Sequence, residues 1–269
     1  YWLPDGDTEL YHFIGKDIVN FHGLFWPAIL ESAGMRQPTA IHAHGFLTVN
    51  GVKMSKSRGT FILAETYIEY LDPEYIRYYF AAKLSSGVDD IDLNLDDFVQ
   101  RVNSDLIGKV VNIASRCAGF LRKRFDNQLS KHCSEPRLVE SFIDSGESIA
   151  ALYEAREFNR AMREIIGLAD QANQYIDEKK PWVMVKNEAL TEDVQAVCSV
   201  GVNLFRVIAT YLKPVLPNMA DKSEVFLRTS LDWTSLNGPL LDHQLAPFEP
   251  LLQRVDRDRV DAMVEASKT

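Results

Sequence analysis

Residues 51–60 read GVKMSKSRGT, a short loop of cations, serines and glycines around which the rest of the chain is organised. The dipeptide Asn50-Gly51 at its start is a turn signal. Glycines let a backbone approach a ligand closely, and lysines carry mobile positive charge. Such a loop suits the stabilisation of phosphate charge during phosphoryl or nucleotidyl transfer, although most lysine- and serine-rich loops are solvated linkers.

Composition is that of a soluble globular protein and limits the possible partners. The 269 residues are 46% hydrophobic and 25% charged, enough to bury a core in one or two domains. No apolar run approaches the ~20 residues of a membrane span. The net charge of -9 argues against a generally basic nucleic-acid binder, so any RNA must meet local patches. The candidate patches are the 51–60 loop, Arg122-Lys123-Arg124 and Lys179-Lys180.

The cysteines indicate a reducing compartment. Cys117, Cys133 and Cys198 are odd in number and have no CxxC spacing, which predicts neither a disulfide framework nor a zinc site. Cys117 and Cys198 fall at apolar helical positions, so we expect them to pack in the core. The chain begins at Tyr1 without an initiator Met or a basic signal region, and we interpret it as a fragment of a longer protein.

The first fifty residues predict a strand–helix–strand unit. Leu10 to Ile14 is a short apolar strand candidate, and Ala40 to Val49 is a second one. Between them a helix is predicted from about Asp17 to Ala33, with Asp17 as its cap. This order is the repeating unit of a parallel α/β sheet, in which ligands bind at the carboxyl ends of the strands. The residues that follow Ile14 can therefore face the same site as the 51–60 loop.

The segment after the loop is predicted to be helical and then polar. Pro73 should start a helix that runs from Glu74 to Lys83, with Asp72 as its cap. The tyrosines and the phenylalanine of this helix are expected to pack in the core rather than stack on bases. Gly87 to Asn94 carries clustered aspartates but lacks the glycine and the distal glutamate of an EF-hand loop, so we interpret it as a polar connector.

An antiparallel helical bundle is predicted for the second half of the chain, because long amphipathic segments are joined by short connections. Residues from Leu95 to about Asp126 carry apolar side chains at steps of three and four, which predicts one long helix. Pro181 should end the third bundle helix and leave Trp182 in a loop, and Thr191 should cap the fourth. After the long helix, the predicted helices cover Arg137–Glu154, Asn159–Asp177, Glu192–Leu212, Val215–Leu227 and Asp256–Ala266.

Two helical stripes carry candidate functional side chains but also have ordinary structural interpretations. Ile18, His22 and Trp26 share one face of the first predicted helix, where such a stripe is usually core packing. The long helix carries a polar stripe that is typical of a solvated face. The members of this polar stripe are Arg101, Asp105, Lys109, Asn112 and Arg116.

The order of residues within the loop carries a family resemblance. Residues 53–57 match, letter for letter, the KMSKS signature of class I aminoacyl-tRNA synthetases. Residues 12–27, 49–51, 84–94 and 180–182 resemble the bacterial methionyl-tRNA synthetase family, so the resemblance runs nearly from end to end.

This resemblance implies a mainly α fold with a defined order of parts. Residues 1–49 are expected to be the C-terminal part of a Rossmann-type α/β nucleotide-binding domain. Residues 50–94 would hold the signature loop and a connective domain that contacts the tRNA stem. Residues 95–230 would form an antiparallel helical-bundle anticodon-binding domain, and residues 231–269 a C-terminal extension with a closing helix.

The resemblance also implies roles for residues near the nucleotide. In the family, the residues matching Ile18, His22 and Trp26 help to form the methionine pocket. Those matching Gly15 and Asp17 contact the adenosine part of ATP. His44 matches a position near the adenine. Lys53 and Lys56 of the signature are the expected catalytic residues. Lys56 is also expected to contact ATP and to stabilise the transition state of adenylate formation.

A second group of matches lies in the predicted bundle. Asn112 and Arg116 match residues that read anticodon bases in the family, and their i, i+4 spacing places them on one helix face. An amide and a guanidinium offer directional hydrogen bonds and a stacking plane to unpaired bases. Pro181-Trp182 matches the position where an indole stacks under an anticodon base, a contact worth ~1–3 kcal/mol.

The function implied is that of methionine–tRNA ligase, which activates methionine with ATP and Mg²⁺ and charges tRNA(Met) in the cytoplasm. The family's HIGH signature and zinc-bearing insertion are absent from these residues, so we expect a monomeric fragment with no metal of its own, no membrane contact and no methionine activation. The alternative is a catalytically inactive tRNA-binding module. An unrelated helical interaction domain with a chance KMSKS is a third, weaker interpretation.

Overall fold

The computed structural model describes residues 1–4, 6–54 and 61–268, so Lys56 of the signature lies outside the described residues. These described residues are mainly helical with two small sheets, which confirms the predicted fold class. The strands are β1 (Tyr11–Gly15), β2 (Ala40–His44), β3 (Leu47–Val49), β4 (Val52–Lys53) and β5 (Ile91–Leu93). The α-helices of the described ranges are α1 (Trp26–Ser32), α2 (Ala64–Tyr70), α3 (Pro73–Ala81), α4 (Leu95–Arg101), α5 (Asn112–Phe125), α6 (Pro136–Glu154), α7 (Phe158–Lys179), α8 (Pro181–Met184), α9 (Thr191–Leu212), α10 (Pro217–Leu227) and α11 (Arg257–Ala266).

The first sheet pairs β1 and β2 in parallel, as the strand–helix–strand pattern predicts. The crossover is less regular than predicted, because a 3₁₀ turn (Lys16–Ile18) and a π-helical turn (Phe21–Phe25) precede α1. The prediction that Asp17 caps a helix is wrong. Asp17 lies inside the 3₁₀ turn, whose start at Gly15 has no side-chain cap. Its carboxylate folds back over Gly15 and comes within 2.6 Å of the place where a Cβ would stand.

The predicted single strand from Ala40 to Val49 is divided between two sheets, and that prediction is wrong. The break is at Gly45, where an added Cβ would lie 2.0 Å from the carbonyl oxygen of Asp89. The Phe46 N–H donates to the Asp90 carboxylate at 2.8 Å and turns the chain into β3. The second sheet has the order β4-β3-β5, with β5 parallel to β3. The prediction of a polar connector over residues 87–94 is wrong for β5, because three residues are too few to show a strand period and the pairing with β3 is set by the fold.

The signature loop begins on a tight hairpin formed by β3 and β4. Asn50 (φ 49°) and Gly51 (φ 75°) both have left-handed backbones, as a two-residue type I′ turn requires. The Asp92 carboxylate accepts hydrogen bonds from the Gly51 N–H and the Thr48 hydroxyl, each at 2.7 Å. The neighbouring strand therefore fixes the conformation of the hairpin that carries Lys53.

The long helix predicted from Leu95 is confirmed as a continuous rod of α4, a π-helical stretch (Val102–Val111) and α5. Its apolar stripe is buried against the bundle. The rod ends at Asp126, whose φ of 49° reverses the chain. The π-helical stretch has no sequence signal that we identified.

The bundle is built around α9, which packs against α5, α6, α7 and α10. The segment Glu188–Leu212 is long and apolar enough to span a membrane, but 89% of its apolar window is buried in the protein. It is therefore a core helix. Thr191 does not cap it: the helix is preceded by Leu190, and the Thr191 hydroxyl donates to the Glu188 carbonyl at 2.7 Å. Cys117 and Cys198 are fully buried, which confirms their core packing.

Helix α3 connects the hairpin to the bundle through its tyrosines. Asp72 caps it as predicted, accepting from the Glu74 N–H at 2.9 Å. The buried tyrosines donate their hydroxyls inward, Tyr78 to Asp105 at 2.9 Å and Tyr79 to Asp97 at 3.1 Å. Burial raises the pKa of Tyr78 well above its ordinary value. The expectation that these rings pack in the core is confirmed.

Candidate functional site

The predicted nucleotide-binding residues lie at one edge of the parallel sheet. Gly15 and His44 stand opposite each other in the register of β1 and β2, at the carboxyl ends of both strands. Asp17 follows in the adjoining turn, with its carboxylate beside Gly15. His44 Nδ1 lies 2.8 Å from the Gly45 carbonyl oxygen. Ligands of parallel sheets bind at this edge, so the structure brings these three residues together.

Two lysines converge on the same edge. Lys16 Nζ lies 5.0 Å and Lys53 Nζ 5.6 Å from the centre of the Phe46 ring. Lys16 also pairs with Asp90 at 2.7 Å, and its hydrogen bond lowers the pKa of the Asp90 carboxyl. The first lysine of the signature is thus held beside the end of β1. Lys16 belongs to the segment after β1 that is expected to face one site with the 51–60 loop, although no individual role is predicted for it.

The predicted methionine-pocket residues share one half-buried face. His22 Nδ1 lies 3.1 Å from the Ile18 carbonyl, so Nδ1 carries a proton and, in a neutral ring, Nε2 is left as an acceptor. The Trp26 ring packs edge-on against Trp2 at 5.6 Å, and His22 packs edge-on against His12 at 5.7 Å. Trp2 and His12 have no sequence signal for this face, since only the fold brings them to it.

His12 has an additional feature. Its Nδ1 is buried and has no hydrogen-bond partner in the described part of the chain. Buried polar atoms are nearly always paired, so this nitrogen is an exception within the described residues. Among residues 1–4, 6–54 and 61–268, no group of His, Cys, Asp and Glu could hold a metal ion.

The predicted anticodon residues meet on the outer surface of the bundle. The Arg116 guanidinium carbon lies 4.8 Å from the centre of the Trp182 ring. Arg116 Nη2 also donates to Asp177 at 2.5 Å. Trp182 is 37% exposed and lies in the short helix α8, so the prediction of a loop is wrong. Pro181 is buried at the first position of α8, and the chain turns from α7 into α8 at Lys180, whose backbone is left-handed (φ 53°).

The polar stripe of the long rod is a helix–helix contact, and its interpretation as a solvated face is wrong. Three of its members bond to α7, each with a partner 61 residues further along the chain. The constant separation shows that the rod and α7 run alongside each other in register. The three pairs are Lys109 with Asp170 at 2.9 Å, Asn112 with Asn173 at 3.1 Å, and Arg116 with Asp177 at 2.5 Å.

The orientation of the Asn112 amide is set by its partner. Asn173 Nδ2 donates to the carbonyls of Lys109 at 3.1 Å and Ala169 at 2.8 Å, which fixes that amide. Its oxygen therefore accepts from Asn112 Nδ2. Within the described residues the Asn112 oxygen accepts no hydrogen bond, so it is available to a donor on a base edge. Asn173 and Asp177 were missed because the sequence does not show which helix lies opposite.

The remaining basic patches are on the surface. Arg122, Lys123 and Arg124 are exposed in the last turn of α5. Lys179 pairs with Glu135 at 2.6 Å, and Lys180 is exposed with a left-handed backbone.

Comparison with known protein families gives two matches along the chain. Residues 1–118 match the family model described as tRNA synthetases class I (M). Residues 130–246 match the model described as the anticodon binding domain of methionyl tRNA ligase. The chain belongs to the methionyl-tRNA synthetase family. Membership of this synthetase family confirms the resemblance carried by the signature loop.

Solved methionyl-tRNA synthetases from Mycobacterium tuberculosis share this fold. One, in complex with methionyl-adenylate, has a TM-score of 0.81 and 28% identity over 92% of this chain and 52% of its own. The apo form has a TM-score of 0.79 and 25% identity over 94% of this chain and 53% of its own. The chain thus spans about half the length of the synthetase structures that it matches.

Proposed function

We propose that this chain contributes the signature loop and the anticodon-reading surface of a methionine–tRNA ligase. The reaction is the ATP-dependent activation of methionine to methionyl-adenylate, followed by transfer to tRNA(Met) in the cytoplasm. The observation that carries the proposal is the stacking of Arg116 on Trp182, with Asn112 on the same face. A stacking plane beside two directional hydrogen-bonding groups is what recognition of unpaired bases needs.

The anticodon surface is organised before RNA arrives. Asp177 and the indole of Trp182 hold the Arg116 guanidinium from two sides, and the cation–π contact is worth ~0.5–1 kcal/mol at an exposed site. Binding then costs less side-chain entropy, because these rotamers are already selected. The exposed part of the indole offers a platform for a base, and the free Asn112 oxygen accepts a hydrogen bond from a base amino group.

The catalytic half of the proposal concerns the edge of the first sheet. Gly15, Asp17 and His44 would bind the adenosine of ATP, which acts with Mg²⁺ as a cosubstrate. Ile18, His22 and Trp26 would line an apolar slot for the methionine thioether. Lys53 and Lys56 would stabilise the charge of the departing pyrophosphate. The grouping of Lys16 and Lys53 over Phe46 supports this role for the hairpin.

Removal of the indole tests the proposal. Trp182→Ala should weaken binding of methionine tRNA by about 5- to 150-fold, the equivalent of ~1–3 kcal/mol for one base stack. Val183→Ala is the matched control, because Val183 is an exposed neighbour on the same short helix. Equal tRNA affinity of Trp182→Ala and Val183→Ala, measured by filter binding, would overturn the anticodon assignment.

The second candidate is a tRNA-binding module that performs no chemistry. It is favoured for these 269 residues by themselves, since the sequence contains no HIGH signature and the described parallel sheet has only two strands. ATP–pyrophosphate exchange separates the two candidates. Exchange above background by the 269-residue chain, abolished by Lys56→Ala, would reject the module. We also propose that the chain is a monomer, which sedimentation would test.

A further inference from the structure

A groove lies along the seam between the long rod and α7, on the side of the Lys109–Asp170 pair away from Arg116. It has a volume of about 470 Å³ and is formed where α3 meets the two helices. Its polar lining comes from Tyr78, Arg101, Asp105, Asn159, Arg163 and Asp170.

The acids in this groove are already bonded inside the protein. Asp105 accepts the Tyr78 hydroxyl at 2.9 Å. Asp170 accepts from Lys109 Nζ at 2.9 Å. The charge of Asp170 is thus compensated by Lys109, whereas the Tyr78 hydroxyl satisfies a hydrogen bond of Asp105 but carries no charge.

The two arginines of the groove, Arg163 and Arg101, have no close ion pair of their own among the described residues. Arg163 is exposed and forms no ion pair within the described residues. The acid that Arg101 approaches is Asp97, at 3.7 Å, and Asp97 is more closely held by Lys83 at 2.8 Å. Two guanidiniums therefore line one groove together with two acids, of which Asp170 is already paired with Lys109, so the lining has a small excess of positive charge. Guanidiniums bind phosphate oxygens through paired N–H groups, so this lining suits a phosphate.

Two buried atoms at the wall of the groove have no partner in the part of the chain that the structure describes. They are Arg101 Nε, a donor, and Asn159 Oδ1, an acceptor. An unpaired buried polar atom costs ~1–3 kcal/mol. Small side-chain rotations towards a bound group would remove this cost. A ligand that offers both acceptor oxygens and a hydroxyl donor fits this pair, as the phosphate and the ribose 2′-OH of RNA do.

The position of the groove links it to the anticodon surface. Arg101 and Asn112 belong to the same polar stripe, and a helical rise of ~1.5 Å per residue places them on the order of 15 Å apart. An RNA strand that places a base on Trp182 can therefore continue along the seam between the rod and α7.

We propose that this groove binds the sugar-phosphate backbone of the tRNA, with Arg101 and Arg163 on a phosphate and Asn159 on a ribose hydroxyl. The proposal rests on the anticodon-binding function proposed above. Contacts to the backbone position an RNA but do not read its sequence. The groove therefore contributes to affinity for tRNA and not to the choice of anticodon.

The salt dependence of tRNA binding tests this inference. Each neutralised phosphate contributes ~0.7–0.9 to the slope of log K against log salt. Because Arg101 stays on the same phosphate, Arg163→Ala should lower the slope by part of this amount. The loss of affinity should be equal for methionine tRNA and for the same tRNA with a changed anticodon. Arg137→Ala is the matched control, since Arg137 is an exposed arginine of α6 outside the groove.

The outcomes are distinguishable. Suppose that Arg163→Ala and Arg137→Ala have the same salt slope and the same tRNA affinity, while Trp182→Ala loses tRNA binding. In that case the groove assignment is wrong and the anticodon function stands. If wild-type protein and Trp182→Ala bind tRNA equally, the anticodon function fails. If no tRNA binds at all, both fail. Saturable binding of inorganic phosphate that Arg163→Ala abolishes, with unchanged tRNA slopes, would reassign the groove to a free anion.

Discussion

At the scale of single residues, Arg116 shows how a surface side chain acquires a defined geometry. Its guanidinium is bonded to Asp177 on one helix and stacked on Trp182 of the next. Neither contact is local in sequence. The combination selects one rotamer of a long, flexible side chain, whose free form would lose ~2 kcal/mol of rotamer entropy on immobilisation. The planarity of the guanidinium therefore matters as well as its charge.

Arg116→Lys tests the importance of that planarity. The variant keeps a positive charge near Asp177 but loses the flat surface that stacks on the indole. We expect tRNA affinity to fall about tenfold, the equivalent of ~1.4 kcal/mol, with little change in melting temperature. Arg122→Lys, at an exposed position of the same helix, should bind as wild type. Wild-type affinity in Arg116→Lys would show that charge alone is sufficient.

At the scale of elements, the β3–β4 hairpin positions the start of the signature loop. Its two turn residues have left-handed backbones, and Asp92 on β5 holds the turn from the side. The Asn50 side chain in addition accepts from the Leu95 N–H at 3.0 Å, at the start of the long rod. The hairpin is therefore tied to the same rod that carries Asn112 and Arg116, the proposed anticodon residues.

Two glycine-to-alanine substitutions test the left-handed turn of the hairpin, because they should change the free energy of unfolding in opposite directions. Gly51→Ala places a Cβ at φ 75° and should reduce the free energy of unfolding by ~1–2 kcal/mol. Gly119→Ala lies at an exposed position of α5 with open space around it and should increase that free energy by ~0.5–1 kcal/mol. Urea denaturation of both variants measures the effects. A stabilising Gly51→Ala would contradict the assigned turn.

At the scale of the whole molecule, burial is unevenly distributed. The bundle encloses α9 almost completely, whereas many large apolar side chains of the first fifty residues are exposed. Phe21, Leu24 and Phe25 are 61%, 65% and 59% exposed in the π-helical turn before α1. Exposed apolar surface of this kind promotes association of proteins in solution.

Replacement of this patch should change surface properties and not stability. The variant Phe21→Ser, Leu24→Gln, Phe25→Ser removes apolar surface that is already in water, so the melting temperature should shift little. Binding of a hydrophobic dye should decrease. Val225→Ser is the control, since Val225 is 71% exposed on α10 of the bundle. Unchanged dye binding in the triple variant would show that the patch is covered in solution.

The chain by itself determined the features that depend on neighbours in sequence. Helical periodicity located the bundle helices to within a few residues, and Asn50-Gly51 specified the hairpin turn. The loop sequence indicated a class I synthetase, and residues 12–27, 49–51, 84–94 and 180–182 indicated the methionyl-tRNA synthetase family. These signals are local. In a helix, for example, the side-chain faces repeat within one turn, so nearby residues reveal them.

Only the tertiary structure decided the features that depend on distant segments. Gly45 breaks a predicted strand because the backbone of Asp89 passes against it. The polar stripe of the long rod faces α7, and the partner of Arg116 lies 61 residues away. His12 joins the His22 face because β1 passes beside the crossover. In each case the deciding contact is made by a residue whose position in space is set by packing, which local sequence pattern does not encode.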